Sequence, residues 1–196
     1  MRHATAALGG SPLTAWDPTD GSEAGLYDNM VSCVAAAGVP KPKGVLWYQV
    51  PRTELGAELR AVLRGGLCGQ GETDTQEGLT ETYASRFGKA LEAWRAALGP
   101  ELLAVTVQLN RTHGATDPGQ HKRWTQLREA QRECAAADAG VGVVPSFDCS
   151  LTDGIHNSPA GNMVLGDRMA RTALVRQCCE SCRMARLYEY SYSLRI

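Results

Sequence analysis

Apolar residues are spaced along this chain in two ways, and each spacing predicts a different kind of element. Short apolar runs predict β-strands, whereas longer segments with apolar residues at every third or fourth position predict amphipathic helices. The predicted strands are Ala4–Leu8, Gly44–Gln49, Leu102–Leu109 and Val141–Phe147. The predicted helices are Ser22–Ala37, Leu79–Leu98, Arg123–Asp138 and Pro159–Gln177.

Residues at the ends of these segments support the helix boundaries. Ser22 is a suitable N-cap for the first helix, and Gly38 is suited to end it. Gly99 and Pro100 end the second helix. Pro159 lies in the first turn of the last helix, where its missing N–H costs little.

The order of the elements predicts the fold class, because strand and helix alternate along the chain. This alternation is typical of parallel β-α-β units with helices on both faces of one sheet. The compact apolar run Gly44–Gln49 is typical of a buried strand in such a sheet. Functional residues of α/β proteins lie in loops beyond the carboxyl ends of the strands. The loops of interest therefore follow Leu8, Gln49, Leu109 and Phe147.

Composition excludes some function classes without selecting one. The chain has 196 residues, of which 43% are hydrophobic and 21% charged, and this fits one globular domain. Its formal net charge of −1 argues against a nucleic-acid partner. No apolar stretch approaches the ~18 residues of a membrane span, so no membrane partner is predicted. The odd count of 7 cysteines favours a reducing environment, and no targeting segment identifies the compartment.

Asp153 and His156 form the sharpest local signal, in the loop after the last predicted strand. Three residues apart in a turn, the carboxylate can accept the Nδ1–H of the imidazole, which fixes the tautomer and makes the other nitrogen more basic. That arrangement suits a general base for a serine nucleophile. The spacing alone is more often that of an exposed pair without a chemical role.

Several short segments follow one another along the chain, and the last of them is this loop: LGGSPLTAW (Leu8–Trp16), LYDNM (Leu26–Met30), GVLWYQ (Gly44–Gln49), GETD (Gly71–Asp74), LREAQ (Leu127–Gln131) and DGIH (Asp153–His156). Together they resemble the SGNH-hydrolase superfamily, in particular its sialate O-acetylesterase and acetylxylan esterase group, carbohydrate esterase family six. The resemblance implies a flavodoxin-like three-layer α/β/α sandwich with a mostly parallel sheet. It also implies hydrolysis of acetyl esters on a carbohydrate substrate by a Ser-His-Asp triad, without a metal or other cofactor.

The resemblance assigns roles to individual residues. His156 would be the general base, and Asp153 would orient it. The oxyanion and binding positions would be a backbone N–H of the turn at Gly9 and Gly10, the side-chain N–H of the glutamine before a Gly-Glu pair, and the glutamate itself, Glu72. Gln49 and Gln70 are alternatives for the one glutamine. Glu72 and Asp74 are expected to hold their loop together rather than to react.

The chain departs from the family pattern at the nucleophile. The family carries its serine in a Gly-[QD]-Ser-Asn type turn after the first strand, upstream of the Gly-Gly-Ser element that contains Ser11. No such turn occurs here. We therefore expect a domain that is truncated at its N-terminus, lacks the central first strand and is inactive as written. The alternative is a catalytically inactive remnant that acts as a carbohydrate-binding or interaction module.

A second departure lies between Gln49 and Gly71. Removing Val50–Gln70 would restore the family element GVLWYQGETD. We interpret this insert as a retained intron, because Val codons begin with GT and a Gln codon can end in AG. The alternative is a genuine inserted helix, whose apolar face would consist of Leu55, Leu59, Val62 and Leu63.

The domain division follows from these observations. Residues 1–177 are expected to form the incomplete esterase domain, with 50–70 as its insert, and 178–196 a disordered Cys-rich tail. The tail contains Cys178, Cys179 and Cys182, whereas a structural zinc needs about four ligands. A metal or thiol module in the tail is therefore the lesser alternative.

Overall fold

The structure, a computed structural model, describes residues 4–8, 11–19, 25–39, 41–48, 71–113 and 118–178. In this part of the chain the strands are β1 (Gly44–Trp47), β2 (Leu103–Val107) and β3 (Val141–Val144). The helices are α1 (Leu26–Ala36), α2 (Tyr83–Leu98), α3 (Pro118–Ala137) and α4 (Pro159–Cys178). Two short 3-10 turns cover Leu13–Trp16 and Gly71–Thr75.

The described strands form one parallel sheet in the order β1-β2-β3. Gly44 pairs with Leu103 at one side of β2, and Ala104 pairs with Val141 at the other side. Every residue of β2 is buried. The predicted α/β class is therefore confirmed.

Helices cover both faces of the sheet and make three layers. Leu103, Val105 and Val107 belong to an apolar cluster with Leu165 and Met169 of α4. Alternate residues of a strand point to opposite faces, and Ala104 belongs to a second cluster with apolar residues of α2 and α3, namely Ala90, Leu91, Trp94, Leu98, Trp124 and Leu127. None of the described helices is long and apolar enough to cross a membrane.

Strand β1 lies at one end of the described sheet, and the prediction that it is a buried strand is wrong. Leu46 is 58% exposed and Gly44 is also exposed, whereas Trp47 is buried. The cause is the position of α4, which packs on β2 and β3. An apolar run predicts a strand, but it does not show how many neighbours that strand has.

Several predicted boundaries also differ from the structure. The segment 4–8 is not a strand, because it does not pair with any strand of the described sheet, although Ala6 packs against the core. Helix α1 begins at Leu26 rather than near Ser22, because Gly25 adopts a left-handed conformation with φ of 57°. Helix α3 begins at Pro118, earlier than predicted, and α2 begins later, at Tyr83. The insert Val50–Gln70 and the tail after Cys178 lie outside the described residues.

Candidate active site

The predicted dyad lies in the loop between β3 and α4, beyond the carboxyl end of the sheet. Nδ1 of His156 is 2.5 Å from Oδ2 of Asp153. The other carboxylate oxygen of Asp153 accepts the backbone N–H groups of Ile155 and His156, each at 2.8 Å. The loop thus orients the carboxylate with its own backbone, and the carboxylate orients the ring.

The electrostatics of this loop favour an ionised Asp153. Partial burial raises the pKa of the Asp153 carboxyl, but the N–H groups of Ile155 and His156 and the His156 ring outweigh burial and hold this pKa below its ordinary value. An ionised carboxylate at Nδ1 favours the tautomer that carries its proton there. The lone pair is then on Nε2, which is buried and has no hydrogen-bond partner among the described residues.

The loop is fixed at several points along its backbone. The N–H of Thr152 donates to the carbonyl of His156 at 2.8 Å, and the N–H of His113 donates to the carbonyl of Gly154 at 2.7 Å. A Cβ at Gly154 would lie 2.6 Å from the carbonyl oxygen of His113, so this close approach requires glycine. The segment after β2 therefore contacts the backbone of the dyad loop through His113 and Gly154.

The Gly-Glu-Thr-Asp element forms the 3-10 turn Gly71–Thr75, and Asp74 anchors it. Asp74 is completely buried, accepts the N–H of Leu13 at 3.2 Å and forms an ion pair with Arg86 at 2.9 Å. From α3, Nε of Arg123 donates to the carbonyl of Thr75 at 2.8 Å. The contacts of Asp74 agree with the expectation that it holds this loop together.

The remaining predicted site residues do not enter the described geometry. Gly9, Gly10, Gln49 and Gln70 lie outside the described residues. Glu72 is described through its backbone, in the turn held by Asp74. Their roles as oxyanion or binding groups therefore stay predictions.

The two buried serine hydroxyls among the described residues, those of Ser11 and Ser146, have structural partners of their own. Ser11 donates to the carbonyl of Leu8 and accepts the indole N–H of Trp16, each at 2.8 Å. Ser146 donates to the carbonyl of Gln108 at 2.6 Å. In the described ranges no hydroxyl reaches Nε2 of His156.

The cysteine side chains in the part of the chain that the structure describes form no candidate site. Cys33, Cys134 and Cys149 carry free thiols. Burial raises the pKa of the Cys134 thiol to about 11 and also raises the pKa of the Cys149 thiol. Among the described residues no group of three His, Cys, Asp or Glu side chains is suited to hold a metal ion.

Sequence reasoning assigns no role to three polar residues beside the dyad: Tyr48, Asn110 and Asn157. They are joined by side-chain hydrogen bonds, from Asn110 to Asn157 and from Asn157 to Tyr48. Each has a recognisable position, because Tyr48 and Asn110 come at the ends of apolar strand runs and Asn157 directly follows His156. That position at the carboxyl ends of parallel strands was the available signal.

Comparison with solved structures supports the fold. A protein from Arabidopsis thaliana superposes with a TM-score of 0.63 at 22% sequence identity, over 86% of this chain and 58% of that protein. A carbohydrate acetylesterase from Xanthomonas citri superposes with a TM-score of 0.60 at 23% identity, over 87% of this chain and 34% of that enzyme. The chain thus spans less than two thirds of the length of either protein. No curated protein matches the sequence.

Comparison with protein families identifies the group. The family described as carbohydrate esterase, sialic acid-specific acetylesterase, matches residues 50–175. The match includes the Gly71–Asp74 element and the Asp153–His156 loop, and it begins at the first residue of the predicted insert. Because it covers more than half of the sequence, the chain belongs to the carbohydrate esterase, sialic acid-specific acetylesterase family.

Proposed function

We propose that this chain is part of an acetylesterase that removes O-acetyl groups from sialic-acid-type sugars by Ser-His-Asp acyl transfer. The observation that carries the proposal is the dyad: Asp153 contacts Nδ1 of His156, while Nε2 is buried and has no partner among the described residues. A histidine fixed in this way is prepared to accept a proton from a nucleophile. The family membership supports the choice of an acetylated carbohydrate as substrate.

In the proposed reaction His156 accepts a proton and returns it in each of the two half-reactions. Nε2 takes the proton of the serine hydroxyl while the serine oxygen attacks the acetyl carbonyl and forms a tetrahedral intermediate. When the intermediate collapses, the bond to the sugar oxygen breaks and His156 protonates that oxygen. Water, deprotonated by the same nitrogen, then attacks the acetyl-serine. As the acetyl–serine bond breaks and acetate leaves, His156 returns this proton to the serine oxygen.

Asp153 would act through His156. Its ionised carboxylate keeps the proton on Nδ1 and stabilises the imidazolium that forms during attack. The backbone N–H groups of Ile155 and His156 hold the pKa of Asp153 low, against the opposing effect of partial burial, so the carboxylate stays charged at neutral pH. For the oxyanion we propose a backbone N–H of the Gly9-Gly10 pair and the side chain of Gln49 or Gln70, with Glu72 in the adjoining turn.

We propose that the serine comes from a strand that precedes this chain in a longer parent. In the flavodoxin-like strand order 2-1-3-4-5 the first strand lies beside the third. The described order β1-β2-β3 corresponds to strands 3-4-5 of that arrangement, so the nucleophile strand would pair with β1. The exposure of Leu46 on β1 supports this placement.

Acetylesterase assays on two lengths of chain test the proposal. The 196-residue chain and a version extended by the residues encoded directly upstream would be assayed with p-nitrophenyl acetate and O-acetylated N-acetylneuraminic acid. We expect no hydrolysis by the shorter chain and hydrolysis by the longer one. In the longer chain His156→Ala should reduce kcat by about 10³-fold or more.

His121→Ala is the matched control, because His121 is an exposed histidine of α3, and this variant should retain the activity of the longer chain. Hydrolysis by the 196-residue chain that depends on His156 would show that the nucleophile lies within it and would overturn our placement of the serine. A folded, extended chain without His156-dependent hydrolysis would overturn the esterase proposal. A carbohydrate-binding module would then be the better interpretation.

A further inference from the structure

A series of hydrogen bonds joins the ends of two strands to the loop that carries His156. Nδ2 of Asn110 donates to Oδ1 of Asn157, and Nδ2 of Asn157 donates to the hydroxyl of Tyr48. The Tyr48 hydroxyl lies 3.3 Å from Oδ1 of Asn162 in the first turn of α4. Tyr48 directly follows β1, and Asn110 lies shortly after β2. Four elements therefore meet in one polar cluster.

Asn110 is the fixed end of this cluster. It is completely buried, and its Nδ2 also donates to the carbonyl of Cys149 at 3.3 Å. Its Oδ1 accepts the N–H of Arg111 at 2.7 Å, and its carbonyl accepts the indole N–H of Trp124 at 2.5 Å. A buried amide that loses such partners is strongly penalised, so its side-chain orientation is fixed.

The cluster gives Asn157 one defined orientation. Its Oδ1 accepts from Asn110, and its Nδ2 donates to Tyr48. Turning the amide over would place two N–H groups against each other at Asn110. The backbone of Asn157 also pairs with Leu151 in an antiparallel bridge. The residue after His156 is thus held by both its backbone and its buried side chain.

We propose that Asn157 is a positioning residue, which with Tyr48 and Asn110 fixes the His156 ring against Asp153. The inference rests on the proposed role of His156 as the base. The Asp153 side chain is 50% exposed, so its own contacts with His156 compete with water. A buried partner that holds the next residue limits how far the loop can move. Tyr48 also directly precedes Gln49, which is a predicted oxyanion donor. The same cluster therefore joins the His156 loop to the end of β1, where Gln49 follows in the chain.

The ring tautomer of His156 tests this proposal without an activity assay. The ring nitrogens of the ¹⁵N-histidine-labelled 196-residue chain would be measured by NMR at a pH where the imidazole is neutral. The His156 signals would be assigned by their loss in His156→Ala. We expect the Nδ1–H tautomer in the wild-type chain. Asn157→Leu, which keeps the volume but removes the amide, should lower the ratio of Nδ1–H to Nε2–H about fivefold to tenfold.

One further variant at these positions sharpens the test. Tyr48→Phe, which removes one hydroxyl, should lower the ratio by about threefold. Ser150→Ala is the control: it breaks the 2.5 Å contact between the Ser150 and Ser158 hydroxyls in the same loop and should leave the tautomer unchanged.

The outcomes separate this proposal from the esterase proposal. An unchanged ratio in an Asn157→Leu chain that melts cooperatively overturns the positioning role. If Asn157→Leu does not melt cooperatively, Tyr48→Phe decides: a lower ratio supports the role and an unchanged one overturns it. An equal change in Ser150→Ala would also overturn it, because any loop contact would then suffice. Failure of the extended chain to hydrolyse acetyl esters would leave the tautomer result intact.

Discussion

Oδ1 of Asp74 lies 2.9 Å from Nη1 of Arg86, and the carboxylate is completely buried. Asp74 also accepts the N–H of Leu13 at 3.2 Å, so this one side chain joins both 3-10 turns to α2. A buried charge depends on its partners because it has lost its contact with water. The ion pair therefore determines where the Gly-Glu-Thr-Asp turn lies.

Arg86→Met should destabilise the protein by about 3–5 kcal/mol, because it leaves the Asp74 charge buried without its ion-pair partner. Urea denaturation followed by circular dichroism measures this free energy of unfolding. Arg132→Met is the matched control: it breaks an exposed ion pair with Glu129 and should cost about 0.5 kcal/mol or less. Equal losses in the two variants would contradict the role given to Asp74.

Gly154→Ala should destabilise the dyad loop, because the added Cβ would lie 2.6 Å from the carbonyl oxygen of His113. Forcing two backbone segments apart costs about 1–3 kcal/mol. Gly166→Ala in α4 is the control, since a Cβ there meets no atom within 4 Å, and alanine should stabilise the helix by up to about 1 kcal/mol. Thermal melts of both variants test the pair. A Gly154→Ala chain as stable as wild type would show that the two loops separate easily.

The free energy of unfolding should fall in acid, because carboxylates that accept hydrogen bonds in the folded state become protonated. The hydrogen bonds from Arg95 lower the pKa of Asp138, and those from Arg168 lower the pKa of Asp148. A carboxyl whose folded-state pKa is lowered adds stability above its unfolded pKa, and this contribution is lost as the pH falls through the folded-state value. The melting temperature should therefore drop between about pH 4 and pH 2.

Asp138→Asn isolates one of these contributions. The bidentate contact of Asp138 with Arg95, at 2.5 and 3.1 Å, is lost in this variant. Because both side chains are partly exposed, the loss at neutral pH should be about 1 kcal/mol or less. The melting temperature of the variant should fall less steeply in acid than that of the wild type. Parallel curves would contradict the assignment.

Leu46→Lys should reduce self-association of the 196-residue chain without lowering its stability. Leu46 is 58% exposed on β1, at the end of the described sheet, and an apolar edge strand favours pairing between molecules. Sedimentation velocity over a range of concentrations measures the effect. Met163→Lys is the control, because Met163 is 79% exposed but lies on α4. Association that is unchanged in Leu46→Lys would exclude β1 as the contact.

The fold class could be predicted because its signals are local. Helix and strand periods differ along the chain, so the sequence predicts α2, β2, β3 and α4, although the predicted α2 begins earlier than the observed helix. Gly38, with φ of 61°, ends the first helix as expected. The start of α1 was wrong because Gly25 adopts a left-handed conformation that its neighbours in sequence do not reveal.

The Asp153–His156 contact was likewise predictable, because three residues of one turn separate the two side chains and the turn itself brings them together. The pairing of Asp74 with Leu13 and Arg86 joins residues distant in sequence. Nothing in the spacing of these residues indicates such a contact.

The sequence by itself thus determines which segments form helices or strands and that Asp153 can contact His156. Both properties depend on residues only a few positions apart. Packing of the sheet specified that β1 is exposed at Leu46 and that Asn157 meets Asn110 and Tyr48. The physical reason is that burial and hydrogen-bond partnership depend on which distant strands lie side by side. In a parallel sheet that arrangement also brings the strand ends together, and with them the residues around the dyad.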